Sequence, residues 1–214
     1  MTDLNSIYNF MLYLVRKNRG VFVTPQEAMA ALDNGQMIKF EDDFKMYGID
    51  QTIHDSLRNF KVTNYQFTSN SGGVVVFPDG YQHLFNGVFT VTGSTVNAVN
   101  FLNPDELPYA LTNQLRKVTT SNPVAIDNGT GFIIYPQSVQ IGFYSYLKRP
   151  AVPVYGYTQI GRDVVYDPLT SVQLEWEDAY LNSVVAKSMQ FLGVNMDESG
   201  IVAFSNQYNQ ETVS

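Results

Sequence analysis

The chain contains no cysteine. That excludes disulfides, thiolate zinc sites and cysteine nucleophiles. Bases are scarce too: 13 Lys and Arg stand against 20 Asp and Glu, a formal net charge of -7 over 214 residues. A protein that grips phosphates over its whole surface is normally basic, so direct nucleic-acid binding is disfavoured. No apolar run approaches the roughly 20 residues that a membrane helix needs. Residues 7–15 are apolar, but Thr2 and Asp3 precede them without a basic segment, so no signal peptide is expected. The default expectation is a soluble protein made in the cytoplasm. There are only two histidines, His54 and His83, and one tryptophan, Trp176. No G-x-S-x-G, Walker loop, G-x-G-x-x-G or H-E-x-x-H motif occurs.

Against those absences, 44% of the residues are hydrophobic and 14% aromatic, ample for a packed core. One domain, or one domain with a large insertion, is expected. Charge is uneven. From Ser171 to Ser214 six acids face the single base Lys187, a net of -5. The middle, Lys61 to Thr170, is poor in charge and rich in Tyr, Asn, Thr, Gln and Val. A surface of that kind tolerates burial against another protein better than one covered in Lys and Glu.

The first sixty residues read as helices. Leu4, Ile7, Tyr8, Met11, Leu14 and Val15 follow helical spacing, and Gly20 stops that helix. Thr24-Pro25-Gln26-Glu27 is a capping box with proline at the first helical position. The pattern predicts a second helix to Asn34-Gly35, a third marked by Met37, Phe40, Phe44 and Tyr47, and a short fourth capped by Asp50. The period then changes to that of strands. Asn86-Gly87 and Asn128-Gly129 both signal hairpins. Pro108 makes the start of a helical segment irregular. Over 139–147, Val139, Ile141, Phe143 and Ser145 fall on one strand face. Lys148 to Pro153 reads as an extended linker.

The best-marked helix is predicted over 170–193. Thr170 and Gln173 form its capping box, acids fill its first turns, Trp176 lies in its second turn, and Gly193 ends it. The expected fold is therefore α+β: a helical bundle from residues 1–60 and 167–214, with an antiparallel β-rich insertion at 61–166. Trp176 is expected as a buried anchor or interface residue. Residues 195–214, with Ile201, Val202, Phe204 and Tyr208 as their few apolar side chains, read as an assembly arm too weak to fold alone.

The candidate chemistry is thin. His54 and Asp55 are adjacent on a helix and point apart, so they make no dyad. Glu41, Asp42 and Asp43 diverge in the same way and read as a solvated acidic face rather than a metal site. Asp127-Asn128-Gly129 resembles a fragment of a calcium loop but lacks its spacing and final Glu. Lys148-Arg149 is too short for a nucleic-acid patch. Tyr155, Tyr157 and Tyr166 can be a sugar platform, although strand aromatics more often pack in a core. No catalytic residue, cofactor or metal is assigned.

One set of spaced residues carries a resemblance: Pro123-Val124, Gly129, Ile133-Ile134-Tyr135-Pro136, Tyr144 with Tyr146-Leu147-Lys148-Arg149-Pro150, Pro153, Leu174-Glu175-Trp176, Leu192-Gly193-Val194 and Asp197. Over about residues 120–205 the chain resembles virion structural proteins of tailed phages of Bacteroidota, including the crAss-like phages. Its helix–β–helix order is similar to that of head–tail connector, or adaptor-ring, proteins. The resemblance implies a homo-oligomer, a twelve-fold ring, in the virion neck, made in the host cytoplasm. Its partners would be the portal protein and further neck or tail rings, with at most non-specific contact with DNA in the channel and none with a membrane. Another neck ring or a tail protein matches the same residues. The alternative is a tail- or fibre-associated module that recognises carbohydrate or another virion protein. A hydrolase is a third reading, with no motif behind it.

Overall fold

A computed structural model of the chain describes residues 3–20, 22–47, 51–85, 87–160, 163–194 and 200. The fold is α+β. In chain order the helices are α1 (Leu4–Arg19), α2 (Pro25–Met46), α3 (Gln51–Ser56), α4 (Leu107–Thr112) and α5 (Asp178–Phe191). The strands are β1 (Lys61–Thr68), β2 (Val74–Val76), β3 (Tyr81–Leu84), β4 (Phe89–Thr92), β5 (Thr95–Ala98), β6 (Asn100–Phe101), β7 (Val124–Asp127), β8 (Gly131–Tyr135), β9 (Ile141–Lys148), β10 (Tyr157–Ile160) and β11 (Asp163–Tyr166). The described residues divide into two compact units, those within 1–59 and 150–214, and those within 60–149. The β-rich stretch expected over 61–166 is thus split: its last part, including the β10–β11 hairpin, belongs with the helices.

In the helical unit, α1 buries the stripe its spacing predicts, and Gly20 closes it in the left-handed region. The Thr24 box opens α2: Thr24 Oγ1 accepts from Glu27 N at 3.3 Å, and Glu27 Oε2 accepts from Thr24 N at 2.8 Å. Gly35, however, does not end that helix, and the expected second and third helices are one. A Cβ on Gly35 would lie 2.0 Å from Ser188 Oγ and 2.8 Å from Ser188 Cα. The glycine is there so that α5 can approach α2. Asp50, the expected cap of the next helix, lies outside the described residues.

The helix expected over 170–193 begins only at Asp178. Asp167 is the reason. Its carboxylate accepts from Leu169 N at 3.0 Å and from Thr170 Oγ1 at 2.9 Å, and its carbonyl accepts from Ser171 Oγ at 2.7 Å. Thr170 is thereby held in a turn, a standard competitor of helix starts. Val172 exchanges hydrogen bonds with Val154 instead of entering a helix. Gln173 is drawn away to Leu4 N and the Tyr166 hydroxyl. The helix end does match: Gly193 is left-handed, its N–H donates to Gln190 O and Val194 N donates to Met189 O, a Schellman pattern. The expected linker is strapped down by Gln36 Nε2, which donates to Ala151 O, and by Ala151 N, which donates to Glu175 Oε2.

The β-rich unit holds two sheets, ordered β1-β9-β4-β5 with β3 also on β9, and β2-β8-β7-β6. Their inner faces meet in an aromatic core of Phe67, Phe132, Tyr144 and Tyr146 with Val75, Ile134 and Val139. Asn128-Gly129 turns the β7–β8 hairpin as expected, with Gly129 at positive φ. The hairpin expected at Asn86-Gly87, of which Asn86 lies outside the described residues, is not found in the pairing of the described strands. The strands either side of it pair with β9 and not with each other, Leu84 opposite Tyr146 and Phe89 opposite Phe143. They are two lengths of one interrupted run along the same edge of β9. The chain reverses instead at Gly93, between Thr92 and Thr95.

Candidate interaction surface

Of the ionisable residues singled out from the sequence, His54, Asp42 and Asp43 are tied into structural pairs. The ring of His54 on α3 lies 4.1 Å from that of Tyr47, while His83 sits in β3 of the other unit, opposite Leu147. Asp43 accepts from Lys39 Nζ at 2.7 Å and from Ser56 Oγ at 2.7 Å. Asp42 accepts from Lys187 Nζ at 2.7 Å, joining α2 to α5. That hydrogen bond, outweighing partial burial and helped by Lys45, holds the Asp42 carboxyl below its ordinary range. Among the described residues no group of three or more His, Asp or Glu could hold a metal ion. Asp127 Oδ1 accepts from Gly129 N, the ordinary bond of a hairpin turn.

Two of the three tyrosines expected as a sugar platform, Tyr155 and Tyr166, serve packing. Tyr155 lies between Tyr8 and Tyr166, with ring centroids 4.8 and 4.9 Å away. Its hydroxyl donates to Asn5 Oδ1, and that of Tyr166 to Asp3 Oδ1. Tyr157 is exposed on β10. Trp176 is buried, 5% exposed, in the segment before α5, with Lys39 Nζ 5.6 Å from its ring centroid. The other expected interface residues, Ile201, Val202, Phe204 and Tyr208, lie outside the described residues.

What the structure assembles instead is an apolar sheet face. Phe89 stands opposite both Phe143 and Ala98, and Val91 opposite Val96. Directly opposed residues share a face, and the rings of Phe89 and Phe143 stack at 5.4 Å. Ile141 follows Phe143 on the same face by the two-residue period. Phe89, Val91, Val96, Ala98, Ile141 and Phe143 therefore form one outer face, the reverse of the one that buries Tyr144, Thr90 and Gly142. Ile141 and Val96 are each 54% exposed. Between Asp79 and Asp105 the chain has no Asp, Glu, Lys or Arg. The expectation that 139, 141, 143 and 145 share a face is thus half of the truth: Val139 and Ser145 are buried, but Ile141 looks outward. Inside, Gly142 is needed because a Cβ there would meet Phe89 O at 2.2 Å and the Phe67 ring at 2.4 Å.

A second apolar feature lies in the same unit. Helix α4 buries none of its residues, and beyond it Leu115 is 99% exposed. A cleft of about 400 Å³ beside it is lined by Phe101, Arg116 and the amides of Asn100, Asn113 and Asn122. Two of those amides hold the loop itself, Asn113 Oδ1 accepting from Leu115 N and Arg116 N, and Asn122 Nδ2 donating to Lys117 O. No helix among the described residues is long and apolar enough to cross a membrane. A scan of known protein families finds no family model that matches the chain, and a search of curated proteins finds no match.

Proposed function

We propose that the chain is a structural subunit of a tailed-phage neck, an adaptor-ring protein between portal and tail through which DNA passes, and that it catalyses nothing. The observation that carries this reading is the uncharged apolar outer face of the β9-β4-β5 part of the sheet. Leaving such a patch in water costs free energy in proportion to its area, and patches of this kind mark protein contacts. The pairing of Asp42 with Lys187 and of Asp43 with Lys39 supports it, since these side chains serve packing rather than a substrate. The net charge of -7 suits a ring that lets DNA slide, because it offers phosphates little to hold. The spaced residues over 120–205 supply the setting: portal and other neck rings as partners, twelve copies, the virion as location.

The exposed α4 loop favours a second reading, a tail- or fibre-associated module that recognises carbohydrate or another virion protein. Native mass measurement and negative-stain imaging of the purified protein, alone and with purified portal, separate the two. Closed rings that cap the portal are expected. A trimer that binds oligosaccharide and ignores portal would establish the second reading. His54→Ala and His83→Ala are expected to leave ring formation near that of the wild type. A severe loss in a variant that still folds would reopen catalysis or metal binding.

A further inference from the structure

We infer that β5, with the apolar face beside it, is the seam between neighbouring copies: its edge takes a strand from a second copy, and the body of that copy covers Val91, Val96, Ala98 and Ile141. This rests on the reading above only in having copies meet.

The ladder identifies the free groups. Val99 N donates to Val88 O, so the alternating pattern turns residues 95, 97 and 99 towards β4 and the N–H and C=O of Val96 and Ala98 outward. Among the described residues β5 is the last strand of its sheet path. Edges of this kind are templates for pairing, and proteins usually blunt them. Three other edges of the unit are blunted. β1 begins with Lys61 and is broken between Val62 and Tyr65, where Asn64 takes a positive φ of 53°. The outward groups of Val74 in β2 are occupied by Asn70, whose Oδ1 accepts from Val74 N and whose N–H donates to Val74 O. β6 has two residues. β5 has neither a charge, a bulge nor a cap, and its register with β4 is unbroken.

The charge distribution selects the occupant. Each chain carries a net -7, so two copies repel over most of their surfaces. The charge-free run holding β4 and β5 is where a like chain can approach without that cost.

The test measures the oligomeric state of the full chain over a concentration series for wild type, Val96→Lys and Ile141→Lys, with a thermal melt of each. The wild type is expected to associate. Each lysine is expected to weaken association at least tenfold while the melt stays put. Val96→Cys would give the chain its only thiol, and its reaction with a maleimide is expected to slow at least tenfold in the assembled protein relative to the dilute, dissociated protein. That thiol rate decides the matter if the lysine variants fail to fold. A wild type monomeric at every concentration, or a thiol equally reactive in both states, overturns the inference. If closed rings form and survive both lysines, the ring reading stands and this seam falls. If the wild type is a two-fold dimer that the lysines dissolve, the seam stands and the ring falls, because a two-fold contact does not generate a cyclic ring.

Discussion

Tyr144 sits at the centre of the β-rich core with no exposed surface, ringed by Tyr65, Phe67, Phe132 and Tyr146. Its hydroxyl finds no hydrogen-bond partner among the described residues. Burial first, and then the neighbouring phenols, push its ionisation far above the ordinary tyrosine range. A buried hydroxyl left unpaired costs about 1–3 kcal/mol in lost hydration. Tyr144→Phe keeps the ring and removes that cost, so the variant is expected to melt at or above the wild-type temperature. A clear drop in melting temperature would mean that the hydroxyl is bonded. Trp176 behaves in the opposite way. It fills space beside Lys39 in the helical unit, and Trp176→Ala is expected to lower stability by about 3–5 kcal/mol in a denaturant titration. An unchanged midpoint would remove Trp176 from the core.

Among the elements, the contact of α2 with α5 sets two effects against each other at Gly35. Alanine in a helix interior is favoured over glycine by about 1 kcal/mol. Here its Cβ would fall 2.0 Å from Ser188 Oγ and 2.8 Å from Ser188 Cα. The second of these is a backbone atom and cannot rotate away, and overpacking of that kind costs about 1–3 kcal/mol or more. Gly35→Ala is therefore expected to destabilise, read as a lower melting temperature, where propensity alone predicts a gain. The same position shows what is legible in a sequence. The stripe of α1, the Thr24 box and the Gly193 stop are local, and each is found where its pattern places it. Gly35 reads locally as a stop because the residue that explains it, Ser188, belongs to a distant helix. Thr170 and Gln173 offered a valid box, but Asp167 and Leu4 N bound them first. Asn86-Gly87 is a hairpin signal that the long β9 overrode by pairing with both flanking strands. The candidate surface was half legible. A period of two puts Ile141 and Phe143 on one face, but it does not say whether that face is covered. The turn at Gly93, which brings Val96 opposite Val91, is announced by Gly93-Ser94, a two-residue hairpin signal less familiar than Asn-Gly.

At the scale of the whole molecule, charge decides how association should respond to salt. Two copies, each at -7, repel through their summed fields. That field reaches about 10 Å at 0.1 M ionic strength and about 3 Å at 1 M. A seam made of Val91, Val96, Ala98 and Ile141 contains no ion pair for salt to weaken. Screening then removes only the repulsion, and sulfate further strengthens apolar burial. A contact between the acid-rich segment from Ser171 onward and basic side chains of a neighbour would show the reverse slope, since salt would screen its attraction. Self-association is accordingly expected to tighten as sodium chloride is raised, and to tighten more in sodium sulfate at equal ionic strength. Sedimentation or light scattering over a salt series measures this directly. Looser association with rising salt would assign the contact to the charged C-terminal part of the chain and take it away from β5.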